Sequence, residues 1–129
     1  MSDFKETFDE INNTADTTAQ FDSNDIQQNK VMAILAYLSW LVLIPLLAAS
    51  NSRFARFHVN QGLVLAIAEI VCAFALRLLS HLPLIGWIFS IAASLIGLVC
   101  LIFAIIGIVN AANGRAKELP IIGSFKILK

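Results

Sequence analysis

Charge is scarce in this sequence: Asp, Glu, Lys and Arg make up 14% of 129 residues, against about a quarter in soluble domains. With 58% of the residues hydrophobic, water is the wrong solvent for such a chain. The parts needed for catalysis are equally thin. Two histidines and two cysteines are present, without CxxC, HExxH or GxSxG spacing and without a Gly-rich phosphate loop. Zinc, hydrolase and NTPase chemistries therefore lack their components, and neither a cofactor nor a catalytic residue is expected. His58 and His81 fall at opposite ends of an apolar run, so neither can support the other, while Cys72 and Cys100 sit inside apolar runs as small hydrophobes. No cleavable signal precedes the first apolar run near Val31, because the residues ahead of it are acidic.

The few charges are distributed unevenly although the formal net charge is zero. Asp3, Glu6, Asp9, Glu10, Asp16, Asp22 and Asp25 face a single Lys5 before Asn29, whereas the remainder is basic apart from Glu69 and Glu118. A basic membrane body suits anionic lipid headgroups and gives no support to nucleic-acid binding. Residues 1–29 are rich in Asn, Thr, Asp and Gln and read as a disordered acidic tail. Within them Phe4, Phe8 and Ile11 stand at i, i+4 and i+7, the spacing of a short docking helix. Ser23, Asn24 and Asp25 offer cap side chains ahead of the first long helix.

The expected fold is all-α: a polytopic membrane protein with three transmembrane helices in a small bundle. Residues 30–110 form the helical domain, with spans at about 31–49, 62–80 and 83–109, and residues 111–129 form a basic, hydrophobic surface tail. Val31 to Ala49 carries no charge and would extend about 28 Å as a helix, close to the hydrocarbon thickness. Pro45 predicts a kink or loosened end there. Between the first two spans Arg53 and Arg56 lie beside Phe54 and Phe57, the pattern of an interfacial segment whose rings sit at the headgroup boundary. The second span carries Glu69 near its middle, and a central carboxylate costs roughly 3 kcal/mol on the insertion scale. In the third span Gly86, Ser90, Ala93, Gly97, Cys100, Ala104, Gly107 and Ala111 recur at steps of four and three. Gly62, Ala66, Glu69 and Ala73 repeat the pattern in the second span, so spans two and three are expected to pack on small-residue seams, or to use them in a homo-oligomer.

ARFHVNQGL, Ala55 to Leu63, and NAANGRAKELPIIG, Asn110 to Gly123, resemble small bacterial multi-span membrane proteins of unknown function related to the chloroplast inner-envelope protein-import component. Phe57, His58 and Gln61 match that family's positions before the second span. The resemblance implies an integral membrane protein linked to translocation or membrane assembly. From the residues two functions are open. One is a non-enzymatic scaffold or assembly subunit with a membrane-protein partner, in which Glu69 hydrogen-bonds between helices. The other is a small oligomeric transporter or channel in which Glu69 binds a proton or cation. His58, Gln61, Arg53 and Arg56 are the remaining candidate functional residues. Three spans and the bias of basic loops predict a multi-pass protein of the plasma membrane with its N-terminus outside and its C-terminus in the cytoplasm.

Overall fold

The structure, a computed structural model, describes residues 2–128. Lys129 and the Phe4 side chain, both used in the sequence reading, lie outside the described set. All regular elements are helical, and two of them dominate: α5 over Arg53–Leu79 and α6 over Gly86–Ala112. Each has 27 residues and so measures about 40 Å, longer than a hydrocarbon core of about 30 Å. The two are long and apolar enough to cross a membrane. They form an antiparallel hairpin closed by a short turn, where Leu84 adopts a left-handed φ of 74°. Beyond Leu65 the hairpin exposes Ile67, Ile70, Val71 and Phe74 on α5 and Ile91, Leu95, Leu98 and Leu101 on α6. A surface this apolar suits lipid or partner helices within a membrane.

The first apolar segment departs from the three-span expectation. Residues 31–49 contain two six-residue helices, α3 (Lys30–Leu35) and α4 (Leu43–Ala48), separated by a 3-10 turn at Ser39–Val42. Pro45 stands in the first turn of α4, where an amide has no intrahelical partner in any case, so it opens a helix instead of kinking one. The path is an ascent and a return. At the base of α3 the Lys30 side chain lies beside Gly114, whereas Tyr37 beyond its upper end lies against Gly107, so α3 climbs antiparallel to α6. The chain then returns to Ser52, and Asp25 before the segment bonds to Ser52 and Phe54 after it. Residues 31–49 thus rise along α6 and return to the end they left, as a broken hairpin instead of one continuous helix.

The acidic segment differs from its expected disorder for a related reason. α1 occupies Ser2–Ile11, a 3-10 turn Thr18–Gln20, and α2 Ser23–Gln28. Phe8 packs against the core, and the stretch from Asn12 to Thr18 is hydrogen-bonded to residues 110–118. Asp16 and Lys117 form an isolated antiparallel bridge there. Both terminal segments thus belong to one end of the α5–α6 hairpin.

Two glycines permit the broken hairpin to dock. A Cβ on Gly62 would lie 1.9 Å from the Ala36 carbonyl oxygen, and one on Gly107 would meet the Tyr37 ring at 2.3 Å. Gly97, by contrast, faces open space with nothing within 4 Å. Gly62→Ala should therefore destabilise the protein by about 1–3 kcal/mol through backbone displacement, whereas Gly97→Ala should stay within about 0.5 kcal/mol of the parent. Thermal unfolding of the two variants in one detergent checks this, and equal melting temperatures would contradict the docking geometry.

Candidate functional site

The polar side chains of the chain converge at the base of α5. Its N-terminus is capped twice. Ser52 accepts a hydrogen bond from the Ala55 amide at 3.1 Å, while its own hydroxyl donates to Asp25 at 2.5 Å and the Phe54 amide donates to the other Asp25 oxygen at 2.9 Å. A carboxylate at a helix N-terminus satisfies free amides and complements the helix dipole. Asp25 comes from α2, whose own cap is Asp22. The expectation that Asp25 caps the helix directly after it therefore gives way to a cap on a helix far along the chain.

One turn higher, His58 is fully buried. Its Nε2 lies 2.8 Å from the Arg115 carbonyl oxygen and its Nδ1 2.5 Å from the Tyr37 hydroxyl. A carbonyl accepts only, so Nε2 carries the proton and Nδ1 accepts from the tyrosine. The rings of Phe54, Phe57 and Tyr37 surround the imidazole edge-on, with centroids 4.9, 5.1 and 5.5 Å away. Gln61, also fully buried, accepts from the Leu119 amide at 2.8 Å and donates to the Gly123 carbonyl at 2.9 Å. Asn60 donates to the Phe125 carbonyl at 3.0 Å and accepts from the amides of Ile127 and Leu128. On the α6 side Asn110 and Asn12 exchange two amide hydrogen bonds of 2.9 and 3.0 Å. Among the described residues no buried side-chain polar atom lacks a partner.

At the periphery Asp16 pairs with Arg115 at 3.7 Å. Partial burial would raise its carboxyl pKa, but hydrogen bonds from the Thr18 hydroxyl and amide, with Lys117 and Arg115 nearby, together hold it below the usual value. Of the other candidates, Arg53 lies over the Phe21 ring at 5.4 Å, and Arg56 reaches toward the Ser50 carbonyl at 3.5 Å. Glu69 is not brought to this base. It lines a groove of about 500 Å³ between α5 and α6 with Ala66, Gly97, Cys100 and Ala104. Ala73, Ser90 and Ala93 line a second groove nearer the far end, and Gly86 closes the turn against the Ser80 carbonyl. Among the described residues no group of three His, Cys, Asp or Glu side chains could hold a metal.

This arrangement, a polar base carrying both terminal segments under a two-helix hairpin, coincides with a match to known proteins. A family model described as the magnetosome magnetite crystal formation protein family matches residues 28–126. The chain belongs to that family. It is 39% identical over 93 residues to magnetosome protein MmsF of Paramagnetospirillum magneticum, covering 71% of this chain and 79% of the relative. Against magnetosome protein MamF of the same organism it is 36% identical over 99 residues, covering 76% and 82%. A membrane protein of Methanocaldococcus jannaschii is 32% identical over 92 residues, covering 70% of this chain and 61% of the relative. No solved structure matches. The family match overturns the resemblance to the chloroplast import component: the magnetosome family covers both motifs that suggested it.

His58 and Gln61 were legible as unusual residues, but their partners were not. Tyr37 and Asn12 escaped the sequence reading, while Asp25 entered it only as a local cap and Asn60 and Asn110 only as motif letters. A signal existed for Tyr37, since it is the chain's single tyrosine and lies in an apolar run, where a hydroxyl needs a partner. In this family member Gln61→Leu should leave the Leu119 amide and Gly123 carbonyl buried without partners, at about 1–3 kcal/mol for each. Hydrogen exchange at Leu119 and proteolysis of residues 114–128 should both accelerate; unchanged protection would show that the tail is held by other contacts.

Proposed function

We propose that the chain is a non-enzymatic scaffold of the magnetosome membrane that takes part in magnetite crystal formation. The family match over residues 28–126 carries this reading, supported by relatives named as magnetosome proteins. The polar geometry favours a structural role: His58, Asn60 and Gln61 spend their hydrogen bonds on backbone groups and Tyr37. A general acid or base needs a free position toward a substrate. Partners are other proteins of the same membrane, or further copies of this chain.

The shared end of the two terminal segments supports an orientation. Lys5, Lys30, Arg53, Arg56, Arg115, Lys117 and Lys126 belong to the end that carries the termini, and Arg77 is the lone Lys or Arg of the far end among the described residues. The positive-inside rule places the terminal end in the cytoplasm. A reporter active only in the cytoplasm should work when fused to either terminus; activity at one terminus alone would refute the shared face.

Glu69 favours a second reading, ion or proton transport. It makes no hydrogen bond or ion pair among the described residues, and an intramembrane carboxylate without a partner is a functional candidate by default. One experiment tests both readings. In magnetosome-forming cells lacking their own family member, this chain should return crystal size and shape toward the parental values in electron micrographs. Glu69→Gln should do so equally under the scaffold reading. Loss of crystal rescue together with loss of ion flux in liposomes, with insertion intact, would instead establish transport. No rescue by the parent chain, despite its insertion, would reject the family role.

A further inference from the structure

We propose that the chain partitions by membrane curvature: its base is a wedge in one leaflet, so the protein gathers where the bilayer is convex on the side of the base. The inference rests on the membrane reading above and holds whichever compartment that side faces.

The wedge comes from an unequal number of elements along the hairpin. Toward the turn α5 and α6 stand by themselves among the described residues. Phe74 and Leu78 on one and Trp87, Ile88 and Ile91 on the other are exposed, and the groove at that end is lined by residues of these two helices only. At the base the pair is joined by α3, α4 and the C-terminal tail. Ala36 and Tyr37, just past α3, lie against Gly62 and Gly107. The short helix α4 packs on α5, and the tail is bonded to Asn60 and Gln61. Leu63 to Leu79 extends about 26 Å as a helix, close to a hydrocarbon core of about 30 Å. A core that begins at the turn therefore ends near Gly62, and the added elements fall at the headgroup boundary of a single leaflet.

Their outward faces suit that depth. The α4 sequence LIPLLA contains no polar residue. It buries Pro45 and turns Leu43, Ile44 and Leu47 outward, Leu47 at 78% exposure. A helix that is apolar all round belongs in lipid or in a protein core, yet the outer face of this one is uncovered by protein. On the tail Ile121, Phe125 and Ile127 are exposed as well, Ile121 at 87%. This apolar skirt adjoins the exposed apolar surface of the hairpin and extends it downward, so lipid that covers one also meets the other.

The skirt is fastened to the body. Pro45 and Ala49 are buried beneath α4, and Asn60 holds the tail backbone on both sides of Lys126. Apolar side chains inserted at the headgroup boundary spread that leaflet and leave the other unchanged, and shallow insertion of this kind is sensitive to curvature. On a flat bilayer the near leaflet is crowded while the far one surrounds two slender helices. Where the near leaflet is convex its headgroups are already spread, and the mismatch is relieved.

Single-vesicle imaging tests the assignment. The full chain, labelled at its C-terminus, is inserted into a mixture of phosphatidylcholine and phosphatidylglycerol vesicles about 50 and about 400 nm across, a range over which shallow insertion responds to curvature. A membrane-impermeant quencher separates molecules with the base outside from those with the base inside. The former should be about threefold denser on the small vesicles, and the latter depleted there by a similar factor. Leu43→Gln, Ile44→Gln and Leu47→Gln together should bring the ratio near unity with unchanged melting, because these side chains are exposed. Phe125→Ser with Ile127→Ser should lower the ratio independently, and decides the matter if the triple variant melts lower. Ile70→Ala, on the slender part of the hairpin, should leave sorting unchanged. Equal density of the parent on both sizes, enrichment of the same sign in both orientations, or full enrichment in both skirt variants would overturn the proposal. So would equal density together with a dimer in detergent that the triple variant abolishes, which would assign the skirt to a second copy. Flotation separates the two levels: a chain that floats with neither size fails the membrane reading and the wedge together, whereas one that floats at equal density fails the wedge alone.

Discussion

The architecture depends on the hydrogen bonds that α5 supplies from its buried lower third. An amide or imidazole out of contact with water must find partners, and leaving one unmatched costs about 1–3 kcal/mol. His58, Asn60 and Gln61 meet that demand with backbone groups of residues 115–128. At about 100° per residue these side chains leave the helix in different directions, so the tail must travel around α5 to reach each in turn. That path needs sharp changes of direction. Gly114 at φ 71° ends α6, and Ile121 accepts a left-handed φ of 67°. Gly123 has no room for a Cβ, which would come within 2.5 Å of Leu119 backbone atoms. The strain at Ile121 persists because bonds on either side over-determine its position.

The same base explains why a 19-residue apolar stretch does not form one continuous helix. Composition measures how much lipid or protein a segment tolerates, but not where it goes. A run long enough to traverse the bilayer is also long enough to rise partway and return, provided protein covers its broken backbone. The cover comes from Gly62 and Gly107, distant in sequence, which admit Ala36 and Tyr37 at backbone distance. Tyr37 is then fixed from two sides, its ring against Gly107 and its hydroxyl on His58.

Legibility followed the range of the determining interaction. The two long helices were readable because apolar length is a local property, and so was the isolation of Glu69 within one of them. His58 and Gln61 stood out by residue type at the right place, yet their partners lie 21 to 62 residues away and left no periodic trace. The acidic segment was opaque for the same reason: its composition suits disorder, while Asn12, Thr14 and Thr17 are ordered by bonds to residues 110–118. Orientation was read from a path, and where the first apolar segment runs decides on which side every charge before Ser52 is counted. The small-residue seam was visible as a pattern, but Gly97 and Gly107 share it while facing open space and a tyrosine ring respectively. Spacing alone cannot distinguish those environments.

The resulting asymmetry bears on how a protein of this family can influence a mineral. On the proposed orientation the side away from the cytoplasm receives little more than the turn between Ser80 and Gly86, with His81 and an almost fully exposed Leu84. Glu6, Asp9, Glu10, Asp16 and Asp22, the residues best suited to meet metal ions, all belong to the opposite end. Direct templating by an acidic surface on the far side would have no surface to use. What the chain offers instead is a hydrogen-bonded base, grooves along the hairpin bordered by small residues, and the carboxylate of Glu69 in one of them. On that orientation each of these would act within the membrane or on its cytoplasmic face, so influence on crystal formation would pass through the organisation of the membrane and its proteins before it reached the crystal.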